Sequence, residues 1–258
     1  MLNGVLFLFQ NIDGLNIHYT DEGEGAPILL IHGWGSSILP WAPILPAFEG
    51  KRVIALDLPG CGKSDILKSV WGLDDYCEFI LKFLKAINVE NPILVGHSHG
   101  GRISIKLTAD GKLKPSKLIL FGSAGIPSKK TFKKKAKIWL FKTIKNILTL
   151  PIIKNYTEGL LESARNYFGS ADYKAAPEVM RKTMVSVVNT DLREIMPKIP
   201  CPTLLIWGEN DTDTPLDNAK YMESHIKDCG LCVIKGAGHF SFVERPYEVV
   251  AILKSFLN

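Results

Sequence analysis

No hydrophobic run in this sequence approaches the roughly 20 residues that a membrane-spanning helix needs; the longest, at 5–9 and 26–31, are a fraction of that. The first residues carry neither a basic stretch nor a small-residue cleavage site, so no secretory signal is expected and the chain reads as cytoplasmic. Cysteine is sparse. Cys61, Cys77, Cys201, Cys229 and Cys232 are an odd number in a chain with ample apolar material, which argues against a disulfide-built scaffold. Cys229 and Cys232 have the spacing of a redox or zinc pair, but they lead into a strand instead of opening a helix. No second cysteine or histidine pair supplies further ligands, so neither metal nor cofactor is expected. Charge of one sign is also modest. With 31 Lys and Arg against 26 Asp and Glu, the net +5 does not point to nucleic acid. Gly62-Lys63-Ser64 follows a strand and imitates the end of a phosphate-binding loop, but Asp57 stands where that loop needs its first glycine.

What is present suits one large α/β domain with an insertion: 258 residues, 46% hydrophobic and 22% charged. Residues 7–19 read as two short strands joined at Asp13-Gly14. Buried strands are expected over 27–32, 51–57, 92–97 and 116–122. Helices are expected over 74–88, where Tyr76, Phe79, Ile80, Phe83, Leu84 and Ile87 recur at helical spacing, and over 102–109. This alternation implies right-handed crossovers and a mainly parallel twisted sheet with helices on both faces. From 125 to 198 it stops, leaving helical patterns at 129–150, 153–168 and 177–188. It resumes with strands at 202–208 and 231–235 and helices at 216–226 and 246–256. The expected organisation is a core from 1–124 and 199–258, with an all-helical cap, or lid, inserted at 125–198.

The stretch from Pro92 to Gly101 organises the rest. An apolar strand runs into Gly96-His97-Ser98-His99-Gly100, the form of a sharp strand-turn-helix elbow that projects the serine hydroxyl above the strand's carboxyl end. Side chains at Gly96 and Gly100 would collide with such a turn, and the helix N-terminus beneath it favours developing negative charge. His32 and His97 precede turns and read as loop hydrogen-bonders. His18 lies in a strand and His225 on a helix face, whereas His239 lies in a glycine-rich loop after the last strand, where a base could reach Ser98.

With His32-Gly33-Trp34-Gly35, the segment from Asp57 to Ser64, Trp207-Gly208-Glu209-Asn210-Asp211 and Gly236-Ala237-Gly238-His239, the chain resembles a serine hydrolase of the α/β-hydrolase fold superfamily with a helical cap. The resemblance covers essentially everything outside the cap, and its motifs specify the superfamily without specifying a substrate. It implies Ser98 as nucleophile, His239 as base and Asp211 as triad acid; Asp213 and Glu209 compete for the last role but read as loop-capping or solvent-facing. It also implies the Trp34 and His99 amides as an oxyanion hole. An imidazole at residue 99 departs from the apolar side chain usual there. A serine nucleophile suits hydrolysis of an ester, thioester or lactone through an acyl-enzyme. Carbon-carbon bond hydrolysis with the same triad is the alternative, and a small-molecule receptor with little turnover is the rival from another class.

Lys129, Lys130, Lys133, Lys134, Lys135, Lys137, Lys142 and Lys145 share a stretch with Trp139, Phe141 and Ile144 and read as a basic amphipathic helix. Its lysines are expected in solvent and its apolar face over the pocket, with contact to an anionic surface, either the lipid headgroup layer of a membrane or an acidic substrate, as the alternative. Trp139, Phe168, Met184 and Phe240 are expected to line a pocket for a small-molecule apolar acyl substrate. The protein is expected to be a monomer or small homo-oligomer.

Overall fold

The computed structural model describes residues 7–127 and 176–258. Its strands are β1 (Phe7–Ile12), β2 (Leu15–Glu22), β3 (Pro27–Ile31), β4 (Arg52–Leu56), β5 (Ile93–His97), β6 (Leu118–Phe121), β7 (Thr203–Gly208) and β8 (Cys229–Ile234). They form one eight-stranded sheet in the order β1-β2-β4-β3-β5-β6-β7-β8. Asp13 and Gly14 turn the opening hairpin with positive φ at both, the geometry whose twist matches the flanking strands. β2 pairs antiparallel with β4, and from β4 onward every pairing is parallel.

The helices of the described residues are α1 (Leu73–Ala86), α2 (His99–Ala109), α3 (Glu178–Val188), α4 (Leu216–His225), a single turn α5 (Ser241–Glu244) and α6 (Pro246–Leu257). They cover both faces of the sheet, and the strands divide their side chains between two cores with period two. Leu29, Ile31, Leu94, Leu118, Leu120 and Leu205 join the core that α1 and α2 complete. Ile28, Leu30, Val95, Ile119, Phe121 and Ile206 join the other, with Trp41, Phe242 and Val249. Because β3, β5, β6, β7 and β8 run parallel, the loops leaving them gather at one edge of the sheet.

Some elements differ from the sequence expectation. Residues Leu39–Phe48 form a 3-10 stretch containing Pro40, Pro43 and Pro46. Prolines remove the amide donors of an α-helix, so no helical period is visible, yet Trp41, Ile44 and Phe48 are fully buried. Helix α2 begins at His99 and not at Arg102, because Ser98 itself is the N-cap. Cys229 and Cys232 lie within β8 as free thiols, and burial pushes Cys229 up to about 12. Of the helical patterns expected within 125–198, the third is present as α3; those at 129–150 and 153–168, with the lysine-rich stretch, lie outside the described residues. Helix α3 buries Met180, Thr183 and Val187 at helical spacing, and the Trp71 amide donates to Thr183 Oγ1 at 3.1 Å. Among the described residues no helix is long and apolar enough to cross a membrane.

Candidate active site

Ser98 sits between β5 and α2 with φ +51°, in the left-handed region that a non-glycine side chain rarely occupies. The turn is held from several directions. The Ser98 amide donates to the Phe121 carbonyl at 3.0 Å, and its carbonyl accepts from the Arg102 amide at 3.1 Å and the Ala124 amide at 3.0 Å. Both elbow glycines are sterically required. A methyl group on Gly96 would lie 2.6 Å from the Gly101 backbone, and one on Gly100 would overlap the Ile31 carbonyl.

Asp211 follows β7 in a turn of its own making. Its Oδ1 accepts from the Asp213 and Thr214 amides, each at 2.9 Å, and its Oδ2 lies 2.8 Å from the Thr214 hydroxyl and 2.8 Å from His239 Nδ1. Burial alone would raise the carboxyl pKa. The hydrogen bonds from His239 and Thr214 outweigh it and hold the group below the usual carboxylate range, so Asp211 is ionised. An ionised carboxylate only accepts, so His239 Nδ1 carries a proton and Nε2 is left as a base. The competitors make no hydrogen bond to His239 among the described residues: Glu209 and Asp213 are exposed, Asp213 at the cavity lining, and the Glu209 carboxylate accepts from the Gly236 amide.

Ser98 and His239 line one cavity of about 710 Å³, together with Trp34, His99, Met184 and Phe240. Trp139 and Phe168, also expected in the pocket, lie outside the described residues. Trp34 stands between Gly33 and Gly35, and its amide makes no backbone hydrogen bond among the described residues. His99 opens α2, where an amide has no partner within the helix. A methyl on Gly33 would lie 3.1 Å from Ser98 Cβ, so a glycine is what lets this loop approach the serine.

The two histidines before the turns are structural. His32 Nε2 accepts from the Leu58 amide at 2.9 Å, and Nδ1 donates to the Gly33 carbonyl at 2.6 Å. His97 Nε2 donates to the His239 carbonyl at 3.1 Å, and burial lowers its pKa to about 3. Burial also keeps His32 and His99 neutral, His99 helped by the nearby charge of Arg102. The His99 ring packs edge-on against Trp34 and Tyr76, with no hydrogen bond at either nitrogen among the described residues.

The residues at 57–64 hold structure, not phosphate. The Asp57 carboxylate accepts from the Ile38 and Lys63 amides and from His18 Nδ1, so the loop donor a nucleotide would use is already engaged. A methyl on Gly62 would run into that carboxylate. Three contributors were not singled out from the sequence: Thr214, Asp57 as an anchor of the loop after Trp34, and Arg102 in the cavity wall. An Asp followed three residues later by Thr is a recognisable turn signal and could have flagged Thr214. Among the described residues no group of three His, Cys, Asp or Glu side chains could hold a metal ion.

A family model for the alpha/beta hydrolase fold matches residues 26–152. A 2-hydroxy-6-oxo-6-(2'-aminophenyl)hexa-2,4-dienoic acid hydrolase of Metapseudomonas resinovorans is 26% identical, over 97% of this chain and 90% of its own length. The crystal structure of a membrane phospholipase A, a bacterial virulence factor, superposes with TM-score 0.77 at 26% identity, covering 98% of this chain and 86% of that one. An esterase of Exiguobacterium antarcticum does so with TM-score 0.74 at 26% identity, covering 97% and 98%.

Proposed function

Because the chain belongs to the α/β-hydrolase fold superfamily, we propose that it cleaves a carboxylic ester, thioester or lactone through an acyl-enzyme formed on Ser98. The observation that carries this reading is the Asp211–His239 pair at 2.8 Å, on the same cavity as a serine with φ +51°. In the reaction, His239 Nε2 takes the Ser98 hydroxyl proton as Oγ bonds to the substrate carbonyl carbon. The same proton then passes to the leaving alcohol or thiol as its bond to that carbon breaks. Asp211 keeps the imidazole in the Nδ1–H tautomer and stabilises its charged form. The amides of Trp34 and His99 receive the oxyanion, each such donor contributing about 2.7–4 kcal/mol. Water, deprotonated by His239, then releases the acid and restores Ser98.

The test is labelling by a fluorophosphonate together with turnover of p-nitrophenyl butyrate. Ser98→Ala should abolish labelling and lower kcat by several orders of magnitude while the melting temperature stays near wild type; wild-type turnover in that variant would end the reading. Carbon-carbon bond hydrolysis is the second reading, favoured by the similarity to the dienoic acid hydrolase. Turnover of a vinylogous diketone acid faster than of any ester would select it.

A further inference from the structure

On the hydrolase reading above, we propose that the substrate of this site carries a carboxylate and that Arg102 binds it, about one helical turn from the carbonyl that Ser98 attacks. Arg102 lines the cavity and is only 5% exposed. A guanidinium has five N–H donors, and buried donors without acceptors are costly. Here Nη2 donates to the Val188 carbonyl at 3.3 Å, Nε is buried without a partner, and no other hydrogen bond of the side chain is formed among the described residues. No carboxylate pairs with it among those residues either. The acid on the cavity lining there, Asp213, is exposed and so screened by solvent. Burial with nothing to offset it lowers the Arg102 pKa to about 10, which still leaves the group cationic at neutral pH.

The charge is therefore held in the wall of a substrate cavity with most of its hydrogen-bonding capacity unused. Its planar fork matches a carboxylate with two parallel bonds. Position narrows the ligand further. Arg102 lies four residues after Ser98 on α2, a rise of roughly 6 Å, and helical side chains lean toward the N-terminus, here the serine. The bound carboxylate is thus separated from the reacting carbonyl by a short chain. His99, on the same face one turn earlier, is kept neutral and does not compete as a second cation. A purely structural role, in which Arg102 fastens the Val188 carbonyl at the end of α3, accounts for one bond to a neutral acceptor and leaves the buried Nε–H without one.

Adipate and its neutral isostere adipamide are the probes, titrated calorimetrically into the Ser98→Ala protein. Adipate should bind at least about tenfold tighter, Arg102→Gln on that background should erase the preference by about 10- to 100-fold, and Arg102→Lys should keep part of it. In the Ser98 enzyme, kcat/KM for the p-nitrophenyl monoester of adipate relative to its methyl-capped diester should fall by the same factor in Arg102→Gln. A structural fastening would lower the melting temperature in both variants without moving either ratio. Equal affinity for adipate and adipamide, or a preference that survives Arg102→Gln, overturns the proposal. If Arg102→Gln does not fold, the adipate preference of the Ser98→Ala protein and its partial loss in Arg102→Lys decide alone. The outcomes also separate the two readings. Cleavage of both esters at equal rates removes the carboxylate site and leaves the hydrolase. An Arg102-dependent preference with no ester cleaved and no fluorophosphonate labelling removes the hydrolase and leaves the anion site.

Discussion

Two charged groups lie near the catalytic serine, Asp211 behind His239 and Arg102 in the cavity wall, and they are served in opposite ways. The Asp211 carboxylate is surrounded by the Asp213 and Thr214 amides, the Thr214 hydroxyl and His239, whereas among the described residues the His99 and Arg102 side chains share a single hydrogen bond between them, from Arg102 to Val188. The first cluster is complete without a ligand, so its geometry is set before any substrate arrives. The second spends folding free energy on burying groups that the protein leaves partly unmatched. One is machinery already assembled; the other is a surface whose complement arrives from outside.

The largest expected effect comes from spoiling the complete cluster. Asp211→Asn keeps the shape but can present an N–H to His239 and reverse the tautomer, so kcat for p-nitrophenyl butyrate should drop about 10⁴-fold with little change in melting temperature. A drop below tenfold would mean that the pair does not orient a base. Next comes acid. His32, His97 and His99 are buried and held neutral in the fold, so below the ordinary histidine pKa of about 6.5 the unfolded chain takes up protons that the folded chain refuses. Their contribution is intact above that pH and is lost as pH falls below it, at about 1.4 kcal/mol per pH unit for each group. Urea unfolding between pH 6.5 and 4.5 should therefore lose stability with a slope that rises to about two protons or more, from His97 and His99 with His32 adding to it; a slope under one would show that these rings are not kept neutral. Asp211 extends the loss to lower pH, since its carboxylate is favoured in the fold and must be protonated.

Smaller effects contrast the clusters directly. Thr214→Val removes a satisfied hydroxyl beside the carboxylate and should cost about 1–3 kcal/mol in urea unfolding at pH 7. His99→Leu removes an imidazole that has no hydrogen-bond partner among the described residues and spares the amide, so it should be neutral or stabilising by about 1 kcal/mol. If the two substitutions cost the same, the difference between the clusters has no energetic content.

Much of this was legible in the sequence where the signal is local. The parallel strands announce themselves as apolar runs because both faces are buried, and the elbow does so because Gly96 and Gly100 have no room for a side chain. Asp211, expected from the resemblance, and His239, expected from its place after the last strand, lie 2.8 Å apart across the loops after β7 and β8. What escaped depends on contacts between distant residues: Asp57 with His18 and Ile38, Trp71 with Thr183, and Arg102 with Val188. Nothing in the pattern around Arg102 distinguishes a buried arginine from a solvated one on a helix of similar composition. The 3-10 stretch at Leu39–Phe48 escaped because its prolines suppress any period while its apolar side chains still enter the core.

The bond from His97 Nε2 to the His239 carbonyl joins positions 142 residues apart and has a practical use. His97, next to Ser98, holds the main chain of His239, so a drift of the last loop from the sheet would part the Ser98 hydroxyl from the His239 imidazole. On the proposed function, a chromogenic ester assay would therefore also gauge whether the two distant segments remain docked, with clipping or misassembly of the C-terminal portion registering as lost turnover before the bulk of the fold gave way.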